Sequence, residues 1–351
     1  MKNIYLALGV TAVLSFAISF LLGFVLIPWL RKLKFGQTIL DIGPAWHKSK
    51  QGTPVMGGIM FIISTIVSVV CVLVTDYFLG GHLFAGEGEF APPNDLKVKL
   101  VAGILLALGL GLVGFADDYI KVVKKRNLGL TEIQKTILQV IIIVGYLVAL
   151  SINGLTYIKI PFIGSLDVPS PLGLILFWIF GICVIYGAVN AVNFTDGVDG
   201  LCASVTSVTA IAFCIAALMT KFLGISILAA ALAGGCLGYL IWNYYPSKVM
   251  MGDTGSMFLG GMVVALAFAI DCPVILVLFG IIYVIEALSD LIQIGYFKVT
   301  HGKRIFKMAP IHHHFEMCGW KERKIVTVFT LVNMLGCAIG LALYWFGIIK
   351  K

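Results

Sequence analysis

The sequence predicts an all-α fold: a polytopic integral membrane protein of about ten transmembrane helices, with both termini on the outer face. Three observations carry this. Of 351 residues, 60% are hydrophobic and 12% charged, against roughly 45–50% and 25% in soluble domains, and the mean hydropathy is +1.03. Ten stretches reach or approach the about 20 apolar residues that cross a bilayer as a helix. Basic residues gather in alternate connections between those stretches. This composition argues against a water-soluble enzyme, a nucleic-acid-binding module or a disordered scaffold. The net charge of +8 needs no nucleic acid, because basic loops facing an anionic leaflet account for it.

The stretches are 4–29, 56–75, 98–116, 133–152, 172–190, 201–220, 223–242, 256–271, 273–297 and 325–348. The first is long and lacks a small-residue cleavage site after it, so it reads as a retained helix rather than a signal peptide. Little more than Lys221 separates the sixth from the seventh, which makes a tight hairpin. The eighth and ninth meet at Asp271-Cys272-Pro273, where proline ends one helix or begins the next. The eight cysteines are scattered without a CxxC pair, and most read as small hydrophobes in apolar runs. With no internal repeat or low-complexity tract, residues 1–351 read as a single transmembrane catalytic domain.

Orientation follows from charge. The connections at about 31–55, 117–135, 191–200, 243–255 and 298–324 hold 18 of the 25 Lys and Arg residues, and the other side holds 7. The positive-inside rule places the first set in the cytoplasm and both termini outside. The outer connection 76–97 agrees, with Asp76, Glu87, Glu89 and Asp95 against one lysine.

The unusual polar residues lie in that same cytoplasmic set rather than deep in the spans, where transporters keep theirs. This points to a reaction at the membrane surface with a soluble anionic reactant. The first element is Gly114-Phe115-Ala116-Asp117-Asp118-Tyr119-Ile120-Lys121. Adjacent helical carboxylates point about 100° apart, so one can place a metal while the other acts as a base or is held by Lys121. A pair of solvated helix-end acids is the plain alternative, although a helix C-terminus disfavours acids. Lys121, Lys124, Lys125 and Arg126 follow, readable as topology signal or as phosphate contacts.

The second element is Asn190-Ala191-Val192-Asn193-Phe194-Thr195-Asp196-Gly197-Val198-Asp199-Gly200. Its Asx side chains suit a nucleobase or ribose and its glycines allow close backbone approach; an Asx-rich turn is the alternative. The third runs from Asn243-Tyr244-Tyr245-Pro246 to Met251-Gly252-Asp253-Thr254-Gly255-Ser256. Asp253 could cap the helix that follows, or hold Mg²⁺ so that ion and helix N-terminus share a diphosphate. The fourth is Ala309-Pro310-Ile311-His312-His313-His314-Phe315-Glu316. Consecutive histidines do not converge on one ion, so phosphate contact or proton transfer suits them better than zinc.

Together with His47-Lys48 and Gly52-Thr53-Pro54-Val55-Met56-Gly57-Gly58, these motifs resemble, in order and over nearly the whole chain, the MraY family of phospho-N-acetylmuramoyl-pentapeptide-transferases, within the polyprenyl-phosphate N-acetylhexosamine-1-phosphate transferases. The resemblance implies a ten-helix homodimer in the bacterial cytoplasmic membrane, its active site facing the cytoplasm among membrane lipids. It also implies the reaction of UDP-N-acetylmuramoyl-pentapeptide with undecaprenyl phosphate, giving lipid I and UMP with Mg²⁺. Carried over by position, Asp253 resembles the magnesium ligand, Asp117 and Asp118 the catalytic pair, and His312 the essential histidine beside His313. Lys48, Thr53, Lys121, Lys125, Asn190, Asp196, Asp199, Asn243, Met250 and Gln293 fall at substrate-binding positions. At Met250 the family often has Phe, so a softer thioether contact would replace an aromatic one on the base. A sister transferase of N-acetylglucosamine-1-phosphate and a nucleotide-sugar or lipid transporter are the competing expectations. For the transporter, Glu286 and Asp290 are the only mid-span charges to offer, and they could instead face the site.

Overall fold

The computed structural model describes residues 4–33, 52–81, 83, 93–124, 128–166 and 170–350. Lys48 and Lys125 lie outside the described residues. The helices in chain order are α1 (Ile4–Lys32), α2 (Ile59–Phe78), α3 (Pro93–Val123), α4 (Glu132–Ile152), α5 (Pro171–Thr195), α6 (Leu201–Met219), α7 (Leu223–Asn243) and α8 (Gly252–Ala269). A 3₁₀ turn at Pro273–Ile275 leads into the short α9 (Leu276–Phe279), followed by α10 (Ile281–Val299), α11 (Ile311–Met317) and α12 (Glu322–Tyr344). Among the described residues, nine helices are long and apolar enough to cross a membrane, or ten if the bent pair around Gly280 is one span.

α7 and α8 are the most buried spans, as expected of helices that are apolar on every side. α8 packs lengthwise and antiparallel against α3, and α7 lies against α1, α2 and α6. Small residues bring these backbones together, the usual route to helix association where lipid competes for apolar surface. A Cβ at Gly114 would strike the Asp253 backbone, so the C-terminal end of α3 can touch the first turn of α8 only because Gly114 lacks one.

Four departures from the sequence reading matter. Helices continue into the motifs: α3 reaches Val123 rather than 116, α5 reaches Thr195 rather than 190, and α8 starts at Gly252 rather than 256. Hydropathy falls at the first charges, but side-chain partners keep the backbone helical beyond them. Second, the ninth stretch is not straight. It bends by 86° between Phe279 and Ile281, and the Phe279 carbonyl at the break accepts from Thr209 Oγ1 at 2.6 Å and Asn333 Nδ2 at 3.3 Å.

Third, a short antiparallel hairpin, β1 (Ile158–Ile160) with β2 (Gly164–Leu166), follows α4. Fourth, Lys99, one of the seven basic residues assigned to the outer side, is buried within α3 and pairs with buried Asp271, with Lys159 3.3 Å from the second oxygen. The cluster lies about 27 Å from Asp253, the rise of the 18-residue α8 between them.

Candidate active site

Four helix ends meet at the opposite end of α8: the last turns of α3 and α5 and the first turns of α4 and α8. Helix N-termini favour anions and C-termini favour cations, so this meeting point suits interleaved charges. Met251, in the N-cap position of α8, provides no side-chain cap. Asp118 supplies it from the neighbouring helix: its carboxylate accepts from the Thr254 amide at 2.9 Å, the Thr254 hydroxyl at 2.7 Å and the Asp253 amide at 3.2 Å. Gly252 makes the approach possible. Its φ of 71° is left-handed, and a Cβ there would run into the Asp118 carboxylate.

Because Asp118 is the cap, Asp253 is not, and its side chain turns to the site. One oxygen accepts from Lys121 Nζ and Lys135 Nζ, each at 3.0 Å, and the other from Asn193 Nδ2 at 2.9 Å. Asn193 also donates to Ser256 Oγ at 2.7 Å. Asp117 pairs with Lys121, one helical turn on, at 2.6 Å and accepts from the Leu130 amide at 2.8 Å. Oxygens of Asp117, Asp118 and Asp253 lie within 4.8 Å of one another, the one such metal-capable cluster among the described residues. Three carboxyl groups face two ammonium groups.

This all-oxygen donor set fits a hard divalent cation. The Lys121 ammonium stands between Asp117 and Asp253. Asp253 is the most accessible of the three carboxylates and Asp118 the most committed to the protein.

Two further groups flank this centre. In the α5–α6 loop, Asp199 accepts from the Ser247 amide at 3.0 Å, while Asn243 accepts from the Gly200 amide at 3.0 Å and donates to the Val249 carbonyl at 2.9 Å. Asp196 sits at the C-cap of α5 in the same loop. Met250 is held through its backbone, donating to Pro54 O and accepting from Gly57 N, both at 2.8 Å, which brings Thr53 beside the α7–α8 connection. Within α5, Asn190 lies one turn before Asn193 and donates to Gln139 Oε1 at 3.1 Å.

The second group lies on α11, where the three histidines diverge. His312 Nδ1 meets Glu286 at 3.0 Å, His313 Nδ1 meets Glu316 at 2.6 Å, and His314 Nδ1 accepts from the Lys307 amide at 3.1 Å. Gln293 bonds the backbone of Ile305 and Phe306 through both ends of its amide, fastening the segment that leads to α11.

Asp117, Asp118, Lys121 and Asp253 thus converge in one cluster, and Asp199 with Asn243 braces another. Sequence reasoning missed Lys135, Asn193 as an Asp253 partner, and Thr254 as the recipient of the Asp118 cap. Signals existed. Thr131 and Gln134 form a reciprocal capping box that starts α4 at Glu132, which puts Lys135 in its first turn.

Residues 100–271 match glycosyl transferase family 4, which, with the apolar spans, makes the class a membrane-embedded glycosyl transferase. The matched segment runs from α3 through α8 and contains the whole carboxylate cluster. The chain is 46% identical over 329 residues to the phospho-N-acetylmuramoyl-pentapeptide-transferase of Acetivibrio thermocellus, covering 93% of this chain and 92% of that one. It is 43% identical over 336 residues to that of Bacillus mycoides (95% and 96% covered) and 42% over 335 residues to that of Bacillus subtilis (94% and 96%). The chain belongs to the phospho-N-acetylmuramoyl-pentapeptide-transferase family, and it is a multi-pass membrane enzyme.

Proposed function

We propose that this protein transfers phospho-N-acetylmuramoyl-pentapeptide from UDP to undecaprenyl phosphate, producing lipid I and UMP for peptidoglycan synthesis. The observation that carries the proposal is Asp253, held by Lys121, Lys135 and Asn193 beside Asp117 and the N-terminus of α8. The two ammonium groups, joined by a divalent cation on the carboxylates, would offset the charge of an arriving phosphate. The family's name supports the donor, and the basic connections support a site on the cytoplasmic side of the bacterial inner membrane. A homodimer is part of the proposal on the strength of the resemblance; a monomeric mass in nanodiscs would count against it.

The chemistry follows from charge. An oxygen of the lipid phosphate forms a bond to the β-phosphorus, the bond from that phosphorus to the bridging oxygen breaks, and UMP leaves with the electron pair. Both reactants are anions, so the barrier is largely electrostatic. Lys121 and Lys135 reduce the repulsion and stabilise the leaving phosphate. Mg²⁺, held by Asp253 with Asp117 at hand, would add Lewis-acid stabilisation of the diphosphate oxygens. The lipid phosphate is largely a dianion near pH 7, its second pKa being about 6, so Asp117 need only orient it. Asp118, with its oxygens engaged by α8, is poorly placed to act as a nucleophile, which favours direct attack over a phospho-aspartate. UMP exchange into the UDP-linked donor without lipid acceptor would overturn direct attack. Asn190, Asp196, Asp199, Asn243, Met250 and Thr53 form the proposed nucleotide-sugar end, and the resemblance assigns His312 with His313 to the reacting phosphates.

The deciding experiment supplies purified protein with undecaprenyl phosphate, Mg²⁺ and either UDP-N-acetylmuramoyl-pentapeptide or UDP-N-acetylglucosamine, and follows UMP. Release with the first donor is expected. Release with the second alone would select the sister activity, and release with neither would refute the transferase reading.

A further inference from the structure

We propose that Glu286 is the positioning residue for His312, holding its ring so that Nε2 is kept for a phosphate oxygen of the substrate. The inference rests on the assignment of His312 to the reacting phosphates made above. Glu286 is fully buried in the first two turns of α10, and His312 is 1% exposed. A buried carboxylate requires a hydrogen-bonded or charged partner, and one of its oxygens meets both the His312 ring at 3.0 Å and the His312 amide at 3.4 Å. A carboxylate at this site accepts, so Nδ1 carries the hydrogen. Nε2 is then left over, and it is a buried atom with no hydrogen-bond partner among the described residues.

The neighbouring loop covers that nitrogen with a glycine, so it is the α5–α6 loop that must give way for a phosphate oxygen to reach it. A Cβ at Gly197, in the loop that carries Asp196 and Asp199, would overlap Nε2. A neutral ring presents a lone pair there, and an imidazolium presents an N–H that suits a phosphate oxygen. The direction of Glu286 is set in turn by the 86° bend. Thr209 and Asn333 hold the Phe279 carbonyl at its origin and are joined to each other at 3.0 Å. A carboxylate orienting a working imidazole through Nδ1 is a recurring device of metal and hydrolase sites; here the imidazole would face a substrate phosphate.

The test compares wild type, E286Q, H312A and the double variant in single-turnover assays with radiolabelled donor, with thermal unfolding in detergent as the folding control. E286Q is expected to lower the rate about 10- to 150-fold, the range for a hydrogen bond to a charged group, with KM for both substrates within about twofold. In the H312A background it is expected to cause no further loss. An unchanged rate in E286Q, with H312A impaired, would overturn the positioning role and leave the function standing. An equal loss from E286Q with and without His312 would reveal a purely structural contact and also overturn it. Wild-type rates in H312A would sink the histidine assignment itself. Independently of how E286Q folds, ¹⁵N spectra of histidine-labelled wild-type protein, assigned by comparison with H312Q, are expected to show His312 protonated at Nδ1. A ring protonated at Nε2 alone would overturn the proposal.

Discussion

Lys135→Met removes one of the two ammonium groups on Asp253 while keeping the length of the side chain. At 3.0 Å and an effective dielectric of about 20, Coulomb's law sets a ceiling of about 5.5 kcal/mol on the lost attraction. Desolvation and water reduce it, since each partner is about one-fifth exposed. Net contributions of hydrogen bonds between charged groups run about 1.5–3 kcal/mol, or about 10- to 150-fold in rate. Asp253 keeps Lys121 at 3.0 Å, so it is not stranded and the fold is expected to survive. UMP release at matched Mg²⁺ should therefore show kcat/KM lower by about 10- to 150-fold, with a Tm within a few degrees of wild type. A variant within twofold of wild type would refute the placement of Lys135 in the working site.

Other expected outcomes separate structural from chemical roles. Asp118→Ala removes the cap of α8 and should lower stability by about 1–2 kcal/mol along with activity, read from chemical or thermal unfolding. Asp117→Asn should abolish turnover with little change in unfolding; near-normal UMP release would count against its role. Gly252→Ala forces a left-handed residue and a Cβ into the Asp118 carboxylate; a loss of about 1–3 kcal/mol is expected, and an unchanged midpoint would contradict the capping geometry. Lys99→Met breaks the buried pair with Asp271 far from the site. Because Lys159 stays 3.3 Å from Asp271, it should destabilise by about 1–3 kcal/mol while each folded molecule keeps its activity, and a specific loss of turnover would show that the distant cluster is coupled to chemistry.

Much of this molecule was readable before its structure. Hydropathy located the spans because a bilayer demands about 20 apolar residues in each, and the Asp, Asn and His motifs stood out against so few charges. Helix ends were harder to read. Hydropathy cannot see that Asp117 and Lys121 support each other one turn apart, nor that α5 continues through Asn193. Capping roles were also exchanged: Asp253 occupies the expected sequence position, but Asp118 reaches across from α3, and only tertiary packing reveals that. The 86° bend at Gly280 was hidden because broken and straight helices share one composition. Glu286 was visible as a charge in an apolar stretch, while its partner lay 26 residues away, beyond any local pattern.

The most direct measurement of the central claim is UMP formation by Asp253→Asn protein with both substrates and saturating Mg²⁺, alongside wild type of matched folding. Wild type should form UMP and lipid I in equal amounts, and the variant neither. Wild-type rates from the variant would contradict an active site built on Asp253.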